Sequence, residues 1–368
     1  EIPKNILKEW RKIGLKGSKT ETKWKKNFSR NKNRFKELFN NNFSHSIIKQ
    51  KKDVIANLKP LATRKSSEAV LNSLFKLKNN LIGGSADLAG SNNTKSKFNK
   101  VINAKNFDGD YIHYGVREHA MCGIMNGLAL HSNLIPYGGT FLIFSDYCKP
   151  SIRLSALMKQ RVIYVMTHDS IGLGEDGPTH QPIETIPSLR AMPNMLVFRP
   201  GDGNETSGAY KLAIQNRKRP SALCLSRQGM PNQENTSIDK VALGGYVVSD
   251  CEGTPDLIFI GTGSELNLCI EASKEISSLG KKIRVVSMPC VELFEEQEES
   301  YKESVLPSSV KKRVVVEAAH SFGWHKYTGF DGICITMDRF GASAPGGECM
   351  KNFGFTVENV VNKTKEIL

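Results

Sequence analysis

The sequence predicts an α/β protein with two consecutive three-layer domains, each built on a mostly parallel sheet. Beyond Pro60, short apolar runs alternate with amphipathic stretches, and a polar, turn-rich segment at 233–245 divides this pattern into two sets. Parallel strands need long crossover connections, usually helices, and helices on both faces bury the strands. We therefore expect a basic segment over 1–61, a first domain over 62–232 and a second domain over 233–368.

The first domain is predicted to alternate short strands with helices. Its opening helix is predicted over 66–76, with Ser66 or Ser67 as the N-cap and apolar side chains at three- and four-residue spacing. The same spacing predicts a helix over 118–130. Strands are predicted at 81–82, 111–114, 141–144, 162–166, 195–198 and 222–225, and further helices at 151–158 and 205–215.

The second domain repeats this alternation after the polar segment. Its apolar runs are rich in valine and isoleucine, which favour buried strands. Strands are predicted at 257–260, 283–286, 313–316 and 333–336, and helices at 265–278 and 357–368.

The composition is that of a folded protein without a membrane-spanning segment. Hydrophobic residues make up 39% and charged residues 24% of the 368 residues. No apolar run approaches the roughly 20 residues that cross a bilayer, and the N-terminal segment is too charged for a secretory signal. Because the chain begins with Glu1 and not methionine, we expect a processed chain or a fragment.

The eight cysteines are scattered along the chain and predict neither disulfides nor zinc. No CxxC pair and no Cys/His cluster with ligand spacing is present. Thiols in this distribution are typical of a reducing compartment. We therefore expect an intracellular, cytoplasmic protein whose own residues form no metal site.

The charge is concentrated at the N-terminus. The whole chain carries +14, but residues 1–60 contain 17 lysines or arginines against 5 acidic residues, a net +12, and the remaining 308 residues carry +2. The body of the protein is thus nearly neutral, which argues against a nucleic-acid partner for it.

The basic segment has two interpretations. Aromatic and cationic side chains interleave between Lys23 and Lys36, a pattern that could stack on and neutralise RNA. The interpretation we favour is a surface helix, because Trp24, Phe28, Phe35 and Leu38 form an apolar stripe at helical steps.

The segment 172–184, GLGEDGPTHQPIE, has the composition of a loop around a site. Its glycines allow close backbone approach to a ligand, and Asp176 and His180 place an acceptor beside a titratable donor. His168 ends a strongly apolar run, and ligands of open parallel sheets bind beyond the carboxyl ends of strands. Taken singly, each residue is equally consistent with a strand-end cap or an ordinary turn.

Glu118 is an unusual carboxylate at the start of an apolar helix. It could stabilise the exposed amides and the macrodipole at the helix N-terminus. The flanking helix face is apolar, however, and a buried carboxylate needs a partner that compensates its desolvation. The residues alone leave both roles open.

Two glycine motifs imitate nucleotide or cofactor sites. The stretch GTGSE at 261–265 lies between a strand and a helix, but Leu266 stands where a dinucleotide fingerprint has its third glycine. The stretch GDGN at 201–204 precedes an ordinary amphipathic helix. We expect both to be structural strand-to-helix turns.

From Leu61 to Leu368 the chain resembles the transketolases. The matching stretches are ATRK at 62–65, GGSADL at 83–88, YGVREHAM at 114–121, YGGTF at 137–141, RLSAL at 153–157, residues 167–184, SRQ at 226–228 and DRFGAS at 338–343. The resemblance implies the thiamine diphosphate-binding fold. It implies that 62–232 is the pyrimidine-binding domain, that 233–368 is the C-terminal domain, and that 1–61 is a connector from a diphosphate-binding domain this chain lacks.

The resemblance also implies a cofactor and a dimer. The cofactor would be thiamine diphosphate with Mg²⁺, whose diphosphate and metal ligands belong to the missing domain, so that this fragment alone would be inactive. Glu118 matches the catalytic glutamate that hydrogen-bonds the aminopyrimidine ring. Phe141, Phe144 and Tyr147 match its aromatic pocket, which core packing would also explain. Asp87 matches an acid near the cofactor and the interface of a homodimer.

For the substrate, the resemblance implies a sugar phosphate such as xylulose 5-phosphate, ribose 5-phosphate or erythrose 4-phosphate. Four residues match the phosphate-recognition set: Arg64, Ser91, His168 and Arg227. Guanidinium, hydroxyl and imidazole donors suit phosphate oxygens. Asp176 matches the residue that contacts the C2 hydroxyl of the acceptor, and His180 a catalytic residue that contacts the reacting oxygens.

Several alternatives stay open at this point. Dihydroxyacetone synthase and 1-deoxyxylulose-phosphate synthase share the glutamate and part of the loop, although Arg64, Ser91 and Arg227 together favour transketolase. A non-catalytic relative that binds RNA or protein is supported only by the basic segment. One subunit of a split enzyme is disfavoured by the connector before Leu61.

Overall fold

The computed structural model describes residues 2–32, 60–76 and 80–368. The chain divides into a short unit, 1–42, and a large unit, 43–368. The short unit contains helix α1, Lys4–Arg30, which has no buried residue. Trp24 stacks on Phe28 with ring centroids 5.3 Å apart. The predicted helix is confirmed as far as Arg30, and the continuation of its apolar stripe at Phe35 and Leu38 lies outside the described residues.

The large unit contains two sheets, and all six strands of the first sheet are parallel. Their spatial order is β2-β1-β3-β4-β6-β5. The strands are β1, Leu81–Ser85; β2, Tyr111–His113; β3, Ile135–Phe141; β4, Ile163–Thr167; β5, Leu196–Phe198; and β6, Ser221–Leu225.

Helices cover both faces of the first sheet. They are α2, Thr63–Leu74; α3, Ala89–Asn92; α4, Glu118–His131; α5, Ser145–Leu157; α6, Thr185–Arg190; and α7, Gly203–Gln215. Helices α2 and α7 pack with Tyr137 and Val165 on one face. Helices α4, α5 and α6 pack with Tyr164 and Met166 on the other. Alternate strand residues therefore enter two separate cores, as burial on both faces requires.

The second sheet has five strands in the order β11-β10-β8-β9-β7. Only β7 is antiparallel, and it pairs with β9 at the edge of the sheet. The strands are β7, Tyr246–Ser249; β8, Leu257–Gly261; β9, Ile283–Ser287; β10, Arg313–Val316; and β11, Ile333–Ile335.

The second sheet is also covered on both faces. Its helices are α8, Glu265–Ser278; α9, Val291–Glu295; α10, Glu299–Val305; α11, His325–Thr328; α12, Gly346–Asn352; and α13, Val357–Lys365. Helices α8, α12 and α13 share one core with Phe259 and Val285, and Phe294 of α9 packs with Ile260 and Trp324 in the other. The predicted fold class, an α/β protein with two mostly parallel three-layer units, is confirmed.

The first helix of the large unit begins earlier than predicted. Ala62 and not Ser66 or Ser67 is its N-cap, and both serines are buried inside α2. Thr63 exchanges hydrogen bonds with Ser226, 163 residues away, and this tertiary contact fixes the helix start. Ser67 instead hydrogen-bonds the Tyr210 hydroxyl at 2.7 Å. The predicted cap was therefore wrong: the Ser67 hydroxyl is paired with another helix, and the Ser66 hydroxyl is buried without a hydrogen-bond partner among the described residues.

The apolar run 141–144 is not the predicted strand. Strand β3 is the preceding segment Ile135–Phe141, and residues 142–144 form a 3-10 turn. A Cβ built on Gly138 would lie 2.6 Å from Met125 Sδ. Glycine in β3 therefore lets α4 approach the sheet, and this close packing has no local signal in the sequence.

The two glycine motifs are turns between a strand and a helix, as predicted. Asp202 caps α7 by accepting a hydrogen bond from the amide of Glu205 at 3.0 Å. Gly263 has a positive φ of 59°, and a Cβ there would lie 2.7 Å from Arg199 Cζ. In the described part of the chain, no helix is both long and apolar enough to cross a membrane.

Candidate active site

Four of the candidate residues lie at the carboxyl edge of the first sheet. Asp87 follows β1, Phe141 ends β3, His168 directly follows β4, and Arg227 follows β6. These four strands are consecutive neighbours in the parallel sheet, and their carboxyl ends meet at one edge. Open parallel sheets bind ligands at this edge.

Arg64, His168 and Arg227 form a group of nitrogen donors and acceptors at this edge. Arg64 Nη1 donates to the Ser91 carbonyl oxygen at 2.7 Å and lies 3.4 Å from His168 Nε2. Arg227 Nη1 donates to the Leu173 carbonyl oxygen at 2.9 Å. Burial and the charge of Arg227 lower the pKa of Arg64. An anion bound between the two guanidinium groups would relieve their repulsion.

Hydrogen bonds fix His168 in one neutral form. Thr167 Oγ1 donates to Asn92 Oδ1 at 2.7 Å, so it accepts from His168 Nδ1 at 2.8 Å. The Asn92 amide in turn donates to Ser85 Oγ, which donates to the Gly139 carbonyl oxygen. The proton of the neutral imidazole is therefore assigned to Nδ1, and Nε2 keeps a lone pair facing the arginines.

Burial and neighbouring cations keep His168 uncharged. Burial, followed by the charges of Arg64 and Arg227, lowers the pKa of His168 to about 3. A bound anion beside these groups would oppose the effect of the arginines and raise this pKa. The cluster therefore presents two cations and a neutral imidazole at neutral pH.

An aromatic stack connects His168 to the next part of the site. Phe141 stacks on His168 with ring centroids 3.6 Å apart, and its ring is within 4° of parallel to that of Phe144, 5.6 Å away. His180 meets the Phe144 ring edge-on at 5.4 Å. Tyr147 lies 5.9 Å from Phe144 and is exposed. The structure thus brings these five side chains together.

Glu118 is the first residue of α4 and lines a solvent-open cavity of about 680 Å³. The cavity is lined by residues just before and at the start of α4 and of α5: Val116, Arg117, Glu118, His119, Ala120, Phe144 and Tyr147. Glu118 is 8% exposed, and Thr140 Oγ1 donates to its Oε1 at 3.5 Å. The contact is long, so a carboxylate with remaining hydrogen-bonding capacity lies beside aromatic side chains.

This cavity fits a planar heteroaromatic ring. Phe144 and Tyr147 supply aromatic contacts, and the Glu118 carboxylate can accept a hydrogen bond from a protonated nitrogen of the ring. Among the described residues, no group of three or more histidine, cysteine or acidic side chains is arranged to hold a metal ion. Asp202 of the GDGN stretch is turned to α7 and to Thr236.

Asp176 and His180 lie on a loop that the second sheet's C-terminal segment supports. Gln181 Nε2 donates to the carbonyl oxygens of Gly174 and Ala342, at 3.0 and 2.9 Å. His180 reaches the aromatic stack, whereas Asp176 is exposed. Asp87, also exposed, has φ 67°. Within the described residues, neither aspartate hydrogen-bonds the His168 cluster.

The polar residues that orient the site side chains were not among the sequence predictions. Thr167 and Asn92 fix the His168 tautomer, and Thr140 contacts Glu118. All three are small polar residues. Thr140 and Glu118 are distant in sequence, and so are Thr167 and Asn92. The only available signal was that Thr167 and Asn92 adjoin candidate residues.

Comparisons with known proteins agree along the whole chain. Residues 59–233 match the model of the transketolase pyrimidine-binding domain, and residues 244–356 match that of the transketolase-like C-terminal domain. A transketolase of Nostoc sp. is 52% identical over 377 residues, covering 100% of this chain. The chain spans 56% of the length of that relative.

Solved structures give the same match. Transketolase from Leishmania mexicana has a TM-score of 0.86 and 42% identity, with 100% of this chain and 55% of that chain covered. A Pichia stipitis transketolase in complex with sedoheptulose 7-phosphate has a TM-score of 0.87 and 40% identity, with 100% and 56% covered.

Proposed function

The chain belongs to the transketolase family, and from this premise we propose that it forms the pyrimidine-holding and phosphate-binding part of a thiamine diphosphate-dependent ketol transferase. The reaction would move a two-carbon ketol unit from a ketose phosphate to an aldose phosphate, as in the non-oxidative pentose phosphate pathway. One observation carries the proposal: Phe141 packs on His168 of the cationic cluster and on Phe144 of the Glu118 cavity. A ring-binding cavity and an anion-binding cluster therefore share one wall.

Glu118 is the proposed catalytic carboxylate. Bound in the cavity, the cofactor would supply a carbanion-stabilising centre for cleavage of the C2–C3 bond of the ketose. Glu118 would share a proton with the pyrimidine ring, because its carboxylate is buried and, among the described residues, accepts a side-chain hydrogen bond only from Thr140, at 3.5 Å. Phe141, Phe144 and Tyr147 would hold the ring. Asp87 would be an acidic residue close to the cofactor and to the subunit interface.

Substrate recognition is assigned to the loops at the same edge. Arg64 and Arg227 would bind the phosphate, with Ser91 beside them, and the two neighbouring guanidinium groups support this role. His168, 3.4 Å from Arg64, would join them as a donor once the bound anion has raised its pKa and Nε2 has taken up a proton. Asp176 would contact the acceptor's C2 hydroxyl. His180, at the edge of Phe144, would contact the reacting oxygens. Sugar phosphates such as xylulose 5-phosphate, ribose 5-phosphate and erythrose 4-phosphate fit these donors.

A homodimer would complete the site. The cavity is open, and the surface next to it carries exposed apolar side chains on α4 and α5 and in the preceding turn, including Val116, Ile124, Tyr147, Leu154 and Leu157. A surface of this kind favours burial against a partner. The diphosphate and Mg²⁺ ligands would come from a further domain of the longer protein, opposite this surface.

The proposal includes the division of the chain. Residues 1–61 would be the connector, 62–232 the pyrimidine-binding domain and 233–368 the C-terminal domain. The fragment alone would be inactive. All eight cysteines are free thiols, which supports a reducing compartment such as the cytoplasm.

The test is an assay of the longer protein that contains the diphosphate-binding domain, with thiamine diphosphate and Mg²⁺. We expect transfer from xylulose 5-phosphate to ribose 5-phosphate. Preferred transfer to formaldehyde would instead indicate a dihydroxyacetone synthase, and reaction of pyruvate with glyceraldehyde 3-phosphate a 1-deoxyxylulose-phosphate synthase. Absence of all three activities in a folded, cofactor-loaded protein would contradict the proposal.

A further inference from the structure

A buried ionic cluster joins the two sheets directly behind His168. Arg199 follows β5 of the first sheet and is fully buried. Its Nε donates to Asp169 Oδ2 at 3.0 Å. Its Nη1 donates to Glu265 Oε2 at 2.5 Å and to the Thr262 carbonyl oxygen at 3.0 Å. Asp169, the residue after His168, is thereby tied to the first residue of α8 in the second sheet's layer.

Charges within the cluster compensate each other. Burial alone lowers the pKa of Arg199, but the carboxylates of Glu265, Asp169 and Glu317 outweigh it and raise this pKa above its ordinary value. Glu317, after β10, lies 3.7 Å from Arg199 Nη1 and binds both terminal nitrogens of Arg190 at 2.8 Å. Arg199 therefore remains charged, and its planar fork dictates where the carboxylates stand.

The cluster reaches the candidate site through the backbone of His168. His168 has φ 62°, in the left-handed region that side-chain-bearing residues seldom occupy. Such a conformation persists only when the surrounding structure enforces it. On one side Thr167 is the last residue of β4, and on the other Asp169 is held by Arg199. Both neighbours of His168 are thus fixed.

A second link runs from Glu265, at the start of α8, to the loop after β6 that carries Arg227. Ser264 Oγ donates to Glu265 Oε1 at 2.5 Å and accepts from Gln228 Nε2 at 3.0 Å. Gln228 directly follows Arg227 in the chain. Glu265 is therefore linked through Arg199 to Asp169, and through Ser264 to Gln228, the residues that follow His168 and Arg227.

The packing of the two sheets against each other does not explain why charged side chains lie at the Arg199 cluster. Buried ion pairs contribute little to stability compared with well-packed apolar residues, because desolvation offsets the attraction. What they add is directional geometry. The ions of this cluster stand where the backbone of His168 must be held in an unfavourable conformation.

We propose that Arg199 is a positioning residue through which Glu265 of the second sheet's layer holds Asp169, and thereby His168, in the orientation that presents Nε2 to Arg64. The role in catalysis rests on the proposed function, but the orientation of His168 does not. The second sheet would then serve the site without contributing a residue to the phosphate cluster itself.

The test uses the full chain with labelled histidines, and His168 is assigned by comparison with His168→Asn. Nitrogen and carbon NMR shifts of the imidazole distinguish the Nδ1–H tautomer from the Nε2–H tautomer. The wild type should show Nδ1–H at His168. Asp169→Asn, which keeps the size of the side chain, and Arg199→Lys, which removes the fork, should each show a mixture of both tautomers.

Arg190→Lys is the matched control. It weakens the contact to Glu317 at the same interface without touching Asp169. All three variants should lower the thermal midpoint, but only the first two should change His168. If Arg199→Lys fails to fold, Asp169→Asn decides, because Arg199 keeps Glu265 as a partner. An unchanged His168 tautomer in a folded Asp169→Asn or Arg199→Lys variant would overturn the proposal.

Kinetics of the longer protein separate this proposal from the proposed function. We expect Asp169→Asn to raise KM for a phosphorylated donor roughly tenfold with less change in kcat, the loss typical of one misplaced charge-assisted hydrogen bond. A changed tautomer with unchanged KM would support the positioning role and contradict phosphate binding by His168.

Discussion

Phe141 and His168 stack with ring centroids 3.6 Å apart and planes 27° apart. The stack follows from the register of neighbouring parallel strands, in which Phe141 pairs with Thr167, the residue before His168. A phenylalanine at the end of β3 therefore packs directly on the imidazole beyond the end of β4. The cavity of Glu118 and the cluster of Arg64 and Arg227 become the two ends of one site.

Glu118→Gln and Glu118→Ala should nearly abolish ketol transfer in the longer protein at saturating cofactor. Proton sharing with the ring is lost, and removal of a general acid or base typically costs roughly 10² or more in rate. Activity assays with circular dichroism measure the loss and the fold. Glu271→Gln, an exposed carboxylate paired with Lys274, is the control and should remain active. More than about a tenth of wild-type turnover in Glu118→Gln would contradict a central role.

Arg64→Ala and Arg227→Ala should raise KM for phosphorylated sugars far more than for hydroxypyruvate. A lost charge-assisted contact to phosphate is worth about 1.5–3 kcal/mol, or roughly tenfold to a hundredfold. Steady-state kinetics with ribose 5-phosphate, ribose and hydroxypyruvate measures the selectivity. Arg284→Ala, which removes the pair with Asp250 in the second sheet, is the control. Equal losses on all three substrates would exclude the two arginines from the phosphate pocket.

Asp176→Ala should give the opposite pattern. Asp176 lies on the loop that Gln181 anchors, and among the described residues it makes no hydrogen bond to Arg64 or Arg227. Discrimination between aldose acceptors at the C2 hydroxyl should weaken while the effect of the phosphate on KM persists. Kinetics with acceptors that differ at C2 measures this. A loss confined to phosphorylated substrates would place Asp176 in the phosphate pocket instead.

The isolated chain should bind thiamine diphosphate weakly and without strong Mg²⁺ dependence. The residues that line its cavity would contact the ring, and the proposed metal and diphosphate ligands belong to another domain. Calorimetric titration with and without Mg²⁺ measures the affinity. Sub-micromolar binding that requires Mg²⁺ would show that residues of this chain, the GDGN stretch at 201–204 first among them, hold the metal.

Glu205 should make stability fall as pH rises. Burial and the neighbouring Asp202 raise its pKa from 4.5 to about 7, although Ser287, Tyr246 and Gly201 donate hydrogen bonds to it. Between these pH values the native state keeps a proton that the unfolded state has lost. The unfolding free energy of the wild type relative to Glu205→Gln should therefore fall as the pH rises through this range.

Urea unfolding of both proteins between about pH 4.5 and 8 checks this prediction, because the titratable groups that Glu205 does not influence cancel in the difference. Glu271→Gln provides the exposed control and should track the wild type. Parallel curves for wild type and Glu205→Gln would mean that Glu205 is ionised throughout.

The sequence was sufficient where structure depends on local pattern. Apolar runs of Val, Ile and Leu predicted β4, β8 and β10 to within a residue or two, because strands buried on both faces must be continuously apolar. The edge strand β7 was missed, since its burial alternates and it lies at the end of a polar segment. The start of α2 and the strand at 141–144 were predicted wrongly because each depends on a residue from a distant part of the chain. Ser226 hydrogen-bonds the start of α2, and Met125 packs against Gly138 of β3.

The candidate site shows the same limit. The strand-end position of His168 and the loop after it could be predicted, since parallel topology brings strand ends to one edge. The stacking of Phe141 on His168 and the proton on Nδ1 could not, because they depend on sheet register and on Asn92. The roles of Asp87 and Asp176 remain predictions.

The loop at 174–181 and the segment at 342–346 fit each other closely. Ser343 Oγ donates to the Glu175 carbonyl oxygen at 2.6 Å, and a Cβ on Gly346 would lie 2.3 Å from the Gly172 carbonyl oxygen. A chimaera of two homologous enzymes, recombined at the polar segment 233–245, would take these two surfaces from different parents. Gene shuffling should therefore yield active hybrids mainly when both stretches are inherited together.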